Sequence, residues 1–246
     1  LNKAHFKHSH AIYDKKNQPT GVHDVIDGYG ERKLDEFKIQ EFTLNNTISD
    51  VIDLSHIESV KKINLLGIIG FNILKEHEVF IVMHLNQITL SKLDSLGERL
   101  DKDIYLETIV DSIAFKLNKH AIIVDAIIEG NELKFALDSG SEFNQINKRI
   151  SKKVLKYFYP DRRIQLSGAS GRKIEVLSGK LYRLKLTNKT YFGPMKTILT
   201  NLSQLNEVFG SNIDGVLGFE FFKQKRTIIN YKKKRLFFID FPLIRQ

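Results

Sequence analysis

Residues 215–238 read GVLGFEFFKQKRTIINYKKKRLFF, and residues 67–90 read GIIGFNILKEHEVFIVMHLNQITL. The two segments align without a gap at an offset of 148 residues. Each begins with two apolar residues between glycines, continues with Phe, and ends in two apolar runs that a polar turn separates. This pattern predicts a short helix at each Gly-Phe, followed by a β-hairpin. The sequence therefore predicts two copies of one architecture.

The repeat extends upstream of both segments. DGYGERK at residues 27–33 pairs with SGASGRK at 167–173, and each precedes a strand-like run. We therefore predict two similar lobes, a first at residues 1–95 and a second at 104–246. The polar stretch SKLDSLGERLDKD, residues 91–103, is expected to join them.

The pattern of the whole chain is mainly β. Short runs of β-branched and aromatic residues alternate with Gly, Asn, Asp and Ser at intervals of roughly ten residues. Helical periodicity is scarce. It predicts the best helix within residues 144–158 and a second within residues 201–209.

The composition excludes several kinds of site. The chain has 246 residues and no cysteine, so disulfides, thiolate metal sites and cysteine nucleophiles are excluded. No apolar run approaches the roughly 18 residues of a membrane span, and GASGRK at 168–173 is not a dinucleotide-binding motif because its third glycine is missing. His5, His8 and His10 have a spacing that permits metal binding. We nevertheless expect no metal, no cofactor and no membrane span.

The net charge of +9 is unevenly distributed. After residue 145 the chain has 22 Lys and Arg residues against six acidic ones. The densest cluster, Lys232–Arg235, lies between two strand-like runs, so we interpret it as a solvated hairpin turn. A basic β-domain that binds an anionic polymer is the alternative. The glycine pattern of residues 65–73 also fits RNA-binding KH domains, but Ile68 and Ile69 are apolar where phosphate contacts need polar groups, and we expect no nucleic-acid partner.

One carboxylate stands out, in LKFALDSGSEF at residues 133–143. Asp138 ends an alternating apolar run, and Ser139, Gly140 and Ser141 follow it. Asp and Ser favour such turns because their side chains bond to nearby backbone groups. Gly140 permits close backbone approach, and we expect the Ser141 hydroxyl to bond the outer oxygen of the carboxylate. Peptide hydrolysis without a metal or a covalent intermediate needs one carboxylate that activates water and a second acid that protonates the carbonyl oxygen. Two close carboxylates that share one proton can do this, as in the aspartic protease dyad.

Asp138-Ser139-Gly140 and the later Gly215–Phe219 segment resemble the pepsin/retropepsin-like aspartic proteases, in their bacterial bilobal form. The resemblance implies a mainly β, bilobal pepsin-like fold, with two β-barrel-like lobes, few short helices and a first lobe that is incomplete at its N-terminus. It implies an aspartic endopeptidase with a peptide or protein substrate, in which Asp138 is catalytic and Ser139, Gly140 and Ser141 support its loop. A periplasmic or secreted location is slightly favoured.

The resemblance also implies flap residues that close over the substrate cleft. They are Tyr29 and Gly30 in the first lobe, and Gly168 and Ala169 in the second. An exposed turn is the alternative interpretation of Tyr29.

The second aspartate is expected outside the sequence. Asp138 precedes Ile146-Asn147-Lys148 by eight residues, and Leu1-Asn2-Lys3 is the counterpart of that tripeptide in the first half. We therefore expect the partner aspartate about eight residues before Leu1, on a segment that is continuous with the chain or a separate peptide. A catalytically inactive relative that binds peptides is the alternative function.

Overall fold

The chain is mainly β with short helices, as predicted. The computed structural model describes residues 1–6, 10–11, 30–39, 42–103, 108–167 and 173–240. The strands are β1 (His10–Ala11), β2 (Gly30–Ile39), β3 (Phe42–Val51), β4 (His77–Val82), β5 (Gln87–Lys92), β6 (Asp111–Ala114), β7 (Lys116–Asn118), β8 (Ala121–Ile128), β9 (Asn131–Leu137), β10 (Asn144–Asn147), β11 (Phe158–Ser167), β12 (Lys173–Leu181), β13 (Leu184–Lys185), β14 (Tyr191–Phe192), β15 (Met195–Thr200), β16 (Gly215–Leu217), β17 (Arg226–Asn230) and β18 (Arg235–Ile239). The helices are α1 (Ser55–Lys61), α2 (Phe71–Leu74), α3 (Lys152–Leu155), α4 (Ser203–Phe209), α5 (Phe219–Phe222) and a 3-10 turn, Met83–Leu85. No helix in the described ranges is long and apolar enough to cross a membrane.

The described strands form three sheets. β1, β2 and β3 make a three-stranded sheet, and β5-β4-β17-β18-β6 make a five-stranded one. The largest sheet has ten strands in the order β11-β12-β15-β10-β16-β9-β8-β13-β14, with β7 paired to β8. Apolar side chains of the two larger sheets, including Val79, Phe135 and Phe238, share one buried core.

The chain divides into two compact units. The smaller unit is Leu1–Ile69 with Gln165–Ile174, and the larger unit is Gly70–Ile164 with Glu175–Gln246. These bounds differ from the predicted lobes at 1–95 and 104–246, because the first hairpin, β4 and β5, belongs to the larger unit. The bilobal pepsin-like arrangement stays a prediction.

The five-stranded sheet contains both hairpins of the repeat, related by a local two-fold. β4 and β17 pair antiparallel with Phe80 opposite Ile228, and these two residues are equivalent in the repeat. The turns match as well, because the equivalent residues Asn86 and Lys234 both have left-handed backbone, with φ of 51° and 50°. The helices α2 and α5 confirm the short helix predicted at each Gly-Phe. Direct β4 to β17 pairing explains why the first hairpin lies in the larger unit.

The predictions for the helices were partly wrong. α4 confirms the helix within 201–209, and α1 is its equivalent at an offset of 148. In 144–158, however, Asn144–Asn147 is strand β10 and only Lys152–Leu155 is helical. The apolar residues of this stretch recur with helical spacing. However, β10 pairs with β15 and β16, and this pairing places the first four residues in a sheet.

The basic cluster forms a hairpin turn, as predicted. Lys232, Lys233 and Lys234 connect β17 to β18. The Lys233 ammonium lies 2.7 Å from the Glu98 carboxylate, and that of Lys232 lies 3.4 Å from the Glu76 carboxylate. The predicted linker at 91–103 therefore contacts this turn through Glu98, and Glu76 supplies a second acidic partner from outside the linker.

Candidate active site

Asp138 follows directly on the last residue of β9. Its backbone N–H donates to the Leu217 carbonyl at 3.0 Å, so β16 fixes the start of the loop. The Gly140 N–H then donates to Asp138 Oδ1 at 3.0 Å, and the Ser141 N–H donates to the Asp138 carbonyl, also at 3.0 Å. The predicted turn is present, and it holds the carboxylate by a backbone donor.

The pKa of the Asp138 carboxyl group is raised above its ordinary value. Desolvation by surrounding protein is the largest cause, and the backbone N–H groups of Gly140 and Ser141 oppose it by stabilising the charged form. Among the described residues no second carboxylate contributes to the shift. Asp138 is exposed, like Ser139 and Gly140, so a substrate can reach its carboxyl group.

The junction of β16 and α5 packs against the Asp138 loop and donates hydrogen bonds to it and to Asn144, the first residue of β10. The Phe219 N–H donates to the Ser141 carbonyl at 2.8 Å, and the Gly218 N–H donates to Asn144 Oδ1 at 2.8 Å. A β-carbon at Gly218 would lie only 2.3 Å from the Ser141 carbonyl oxygen. Glycine is therefore required there by close packing against the aspartate loop.

The strand β16 also requires a glycine at its start. It lies between β9, to which it runs parallel, and β10, to which it runs antiparallel. A β-carbon at Gly215 would lie 2.2 Å from the Phe135 ring and 2.5 Å from the Gln145 carbonyl oxygen. The apolar-glycine segment thus packs beneath the Asp138 loop, as the sequence predicted.

The Ser141 side chain has a different partner from the predicted one. Its hydroxyl donates to the Phe143 carbonyl at 2.8 Å instead of to the Asp138 carboxylate. Glu142 and Phe143 form a bend before β10, and the Ser141 hydroxyl bonds across that bend. Gln145 Nε2 donates to the same hydroxyl at 3.4 Å, and Gln145 Oε1 is buried without a hydrogen-bond partner in the described chain.

Asn144 is the residue that the sequence analysis missed. It is fully buried, accepts the Gly218 N–H, and donates from Nδ2 to Met195 Sδ at 3.2 Å. The sequence offered one indication of its role, because Asn144 follows Asp138 by only six residues. The analysis assigned Asn144 to the helix predicted within residues 144–158 instead.

The remaining predicted site residues fall into three groups: two lie in the Asp138 turn, one lies in the smaller unit, and three lie outside the described residues. Ser139 and Gly140 are exposed in the turn. Gly30 is buried at the start of β2, where it pairs with Val51 in the smaller unit. Tyr29, Gly168 and Ala169 lie outside the described residues. Within the described ranges no cluster of three or more His, Asp or Glu side chains could hold a metal.

Of three comparisons with known proteins, only the one with solved structures found similar chains. No protein-family model matches the chain, and no curated protein matches it. Among solved structures, the chain is similar to a retropepsin-like aspartic protease from Rickettsia conorii, with 14% identity and a TM-score of 0.36 over 56% of this chain and 98% of that one.

Proposed function

We propose that this protein is an aspartic endopeptidase in which Asp138 is one of two catalytic carboxylates. The observation that carries the proposal is the Asp138 carboxyl group, which a substrate can reach and whose pKa is raised. The Gly140 N–H bonds this carboxyl group, and Gly218 packs closely against its loop. In such a dyad one carboxylate accepts a proton from water while the other, protonated, donates to the substrate carbonyl. Because its pKa is raised, Asp138 takes up a proton at a higher pH than an ordinary aspartate does.

The second carboxylate is proposed to come from a segment that precedes Leu1. The hydrogen bonds of Asn2 support this, because they match those of Asn147, the last residue of β10 in the second copy. The Asn2 N–H donates to the Leu66 carbonyl at 2.8 Å, and the Asn147 N–H donates to the Asp214 carbonyl at 2.8 Å. Leu66 and Asp214 are equivalent at the offset of 148, so the two bonds are equivalent.

A second pair of bonds has the same relationship. The Lys3 N–H donates to the Ile52 carbonyl at 2.8 Å, and the Lys148 N–H donates to the Thr200 carbonyl at 2.7 Å. These bonds support the alignment of Leu1-Asn2-Lys3 with residues 146–148. In the second copy the chain enters β10 from β9 through the Asp138 loop. An equivalent loop would enter the first copy just before Leu1.

Exposed residues of the first copy are consistent with an added strand. Val216 and Leu217 of β16 are 1% and 0% exposed, because β9 and β10 flank them. Their equivalents Ile68 and Ile69 are 61% and 39% exposed. An apolar strand beside residues 67–69, carrying a second Asp-Thr/Ser-Gly, would cover them.

The test compares three purified preparations on a fluorogenic peptide library between pH 4 and 7. They are residues 1–246 alone, the same chain with its encoded upstream residues, and that longer chain with the upstream Asp changed to Asn. Only the second should hydrolyse peptides. An encoded sequence without an upstream Asp-Thr/Ser-Gly, or equal activity of a monomeric 1–246 preparation, would overturn the proposed dyad. Peptide binding without hydrolysis by every preparation would instead support the inactive relative.

A further inference from the structure

The segment that follows β10 carries a dense group of positive charges. Residues 148–160 read KRISKKVLKYFYP and contain no acidic residue. Five of their side chains are exposed cations: Lys148, Arg149, Lys152, Lys153 and Lys156. None of the five pairs with a carboxylate in the described ranges. The turn at 232–234 differs, because Lys232 and Lys233 have Glu76 and Glu98 as partners. The charge of the 148–156 segment is therefore uncompensated.

Hydrogen bonds and burial fix the backbone of this segment. The Lys148 N–H donates to the Thr200 carbonyl at 2.7 Å. At the start of α3, the Lys153 N–H donates to the Ser151 hydroxyl oxygen at 3.2 Å. The Val154 side chain is fully buried in the core. The cations therefore project from a fixed stretch of chain, and an anion that binds them needs to order only their side chains.

Tyrosine rings continue the basic segment. Tyr159, on β11, is 58% exposed, and its ring packs edge-on against that of Tyr182 with the ring centres 5.1 Å apart. The Tyr182 N–H donates to the Tyr157 carbonyl at 3.0 Å. The Arg183 guanidinium lies 5.4 Å from the centre of the Tyr157 ring. Aromatic rings and cations are thus interleaved from Lys156 to Arg183.

Arg183 also lines an open cavity of about 600 Å³, a size typical of ligand sites. Lys185 and Tyr191 line it as well, with the Lys185 ammonium 5.5 Å from the centre of the Tyr191 ring. Tyr191 is 57% exposed, and Ile127, another lining residue, is 39% exposed. The acidic residue of the lining, Glu129, is already paired with Arg183. The cavity therefore offers an exposed aromatic ring, an apolar side chain and positive charge.

We propose that this surface, residues 148–159 with the cavity lined by Arg183, Lys185 and Tyr191, binds single-stranded nucleic acid. The cations contact the phosphates, and an unpaired base stacks on the exposed ring of Tyr191, because such sites combine a basic track with aromatic platforms. The inference reverses the sequence-based expectation of no nucleic-acid partner, which was drawn from other parts of the chain.

Two other kinds of partner fit this surface less well. Protein interfaces are depleted in lysine, whereas nucleic-acid interfaces are much more positively charged. Insertion into a membrane surface needs exposed apolar side chains, but Val154 and Phe158 of the segment are buried. The segment begins after the last residue of β10, whereas the Asp138 loop precedes its first residue. The inference does not depend on the proposed function.

The probes are fluorescein-labelled oligo(dT) and oligo(U) of about 20 nucleotides, a length that spans one or more binding sites of this kind. Fluorescence anisotropy with the full 246-residue chain should show saturable binding that weakens as salt rises. With five phosphate contacts, the slope of log K against log salt should be roughly −3. A preference for one oligomer shows whether the 2′-hydroxyl is recognised.

Two charge variants make the test specific to the basic segment. The first combines Lys152→Glu, Lys153→Glu and Lys156→Glu. The matched control combines Lys33→Glu, Lys38→Glu and Lys223→Glu, which replace exposed lysines elsewhere and change the net charge equally. The first variant should bind at least about tenfold more weakly than the control and have a flatter salt slope.

Variants of Tyr191 test base stacking. Tyr191→Ser should weaken binding at least about fivefold without changing the salt slope, because it removes a stacking ring and no charge. Tyr191→Phe should bind as the wild-type chain does, and circular dichroism checks that each variant is folded. Equal losses in the two charge variants, no loss in Tyr191→Ser, or no binding by the folded wild-type chain would overturn the proposal. Equal competition by poly-glutamate, or binding to phosphatidylserine vesicles in place of the oligomers, would assign the surface to an acidic protein or a membrane and also overturn it.

Discussion

Gly218 and Gly70 occupy equivalent positions of the repeat, but their surroundings differ. A β-carbon at Gly218 would lie 2.3 Å from the Ser141 carbonyl oxygen, whereas one at Gly70 would meet no described atom within 4 Å. Their backbones are similar, with φ of −113° and −107°. The difference therefore comes from the loop that packs on Gly218. The same apolar-glycine pattern can support a tightly packed site in one copy and remain open in the other.

The largest expected effect is the loss of activity when Asp138, in the second copy of the repeat, is replaced. Asp138→Asn should lower peptidase activity of the active preparation by about 10²–10⁴-fold, because a neutral amide cannot act as general base. The Gly140 N–H can still donate to the amide oxygen, so circular dichroism and the urea midpoint should change little. Asp125→Asn is the matched control, since it removes one exposed carboxylate from the neighbouring strand β8. Undiminished hydrolysis by Asp138→Asn would remove Asp138 from the mechanism.

The glycine pair tests the comparison directly. Gly218→Ala should destabilise the chain by about 3 kcal/mol, because the Ser141 carbonyl is backbone and cannot move away cheaply. Gly70→Ala should change the free energy of unfolding by less than about 1 kcal/mol, since its β-carbon enters open space and its φ is allowed for alanine. Urea unfolding of both variants measures the difference. Equal losses at the two positions would contradict the packing of the aspartate loop on Gly218.

The next effect concerns the side chain that bonds Gly218. Asn144→Leu removes the acceptor of the buried Gly218 N–H and should cost about 1–3 kcal/mol. The adjacent Gln145→Leu should cost much less, because Gln145 Oε1 is already without a partner among the described residues and its Nε2 bond to Ser141 is long. Urea unfolding of the two variants decides between them. A larger loss for Gln145→Leu would mean that Gln145 supports the loop instead.

Local pattern was sufficient to predict much of this site. Asp138-Ser139-Gly140 indicated a turn because its side chains bond locally, and the glycines at 215 and 218 indicated close packing. Asn144 was missed because Ile146, Ile150 and Val154 have helical spacing, whereas its strand conformation depends on β15 and β16, more than 50 residues away. The grouping of both hairpins in one unit was also missed. Sequence repetition identifies equivalent strands but not which edges pair.

The smallest expected effect concerns strand β6, which pairs with β18. β6, which covers the edge of β18, begins with Asp111, whose carboxylate accepts the Thr187 and Thr190 hydroxyls. Burial raises the pKa of Asp111, but those hydroxyls and the Ser112 N–H outweigh it, so the pKa of Asp111 lies below that of an ordinary aspartate. A depressed pKa contributes stability that is present above the unfolded value and lost as pH falls through the folded one. Asp111→Asn should therefore cost about 1 kcal/mol at pH 6, in urea unfolding, and the difference should vanish at the lowest pH. A loss for Asp111→Asn that is constant from pH 6 to pH 2 would show that the charge does not anchor β6.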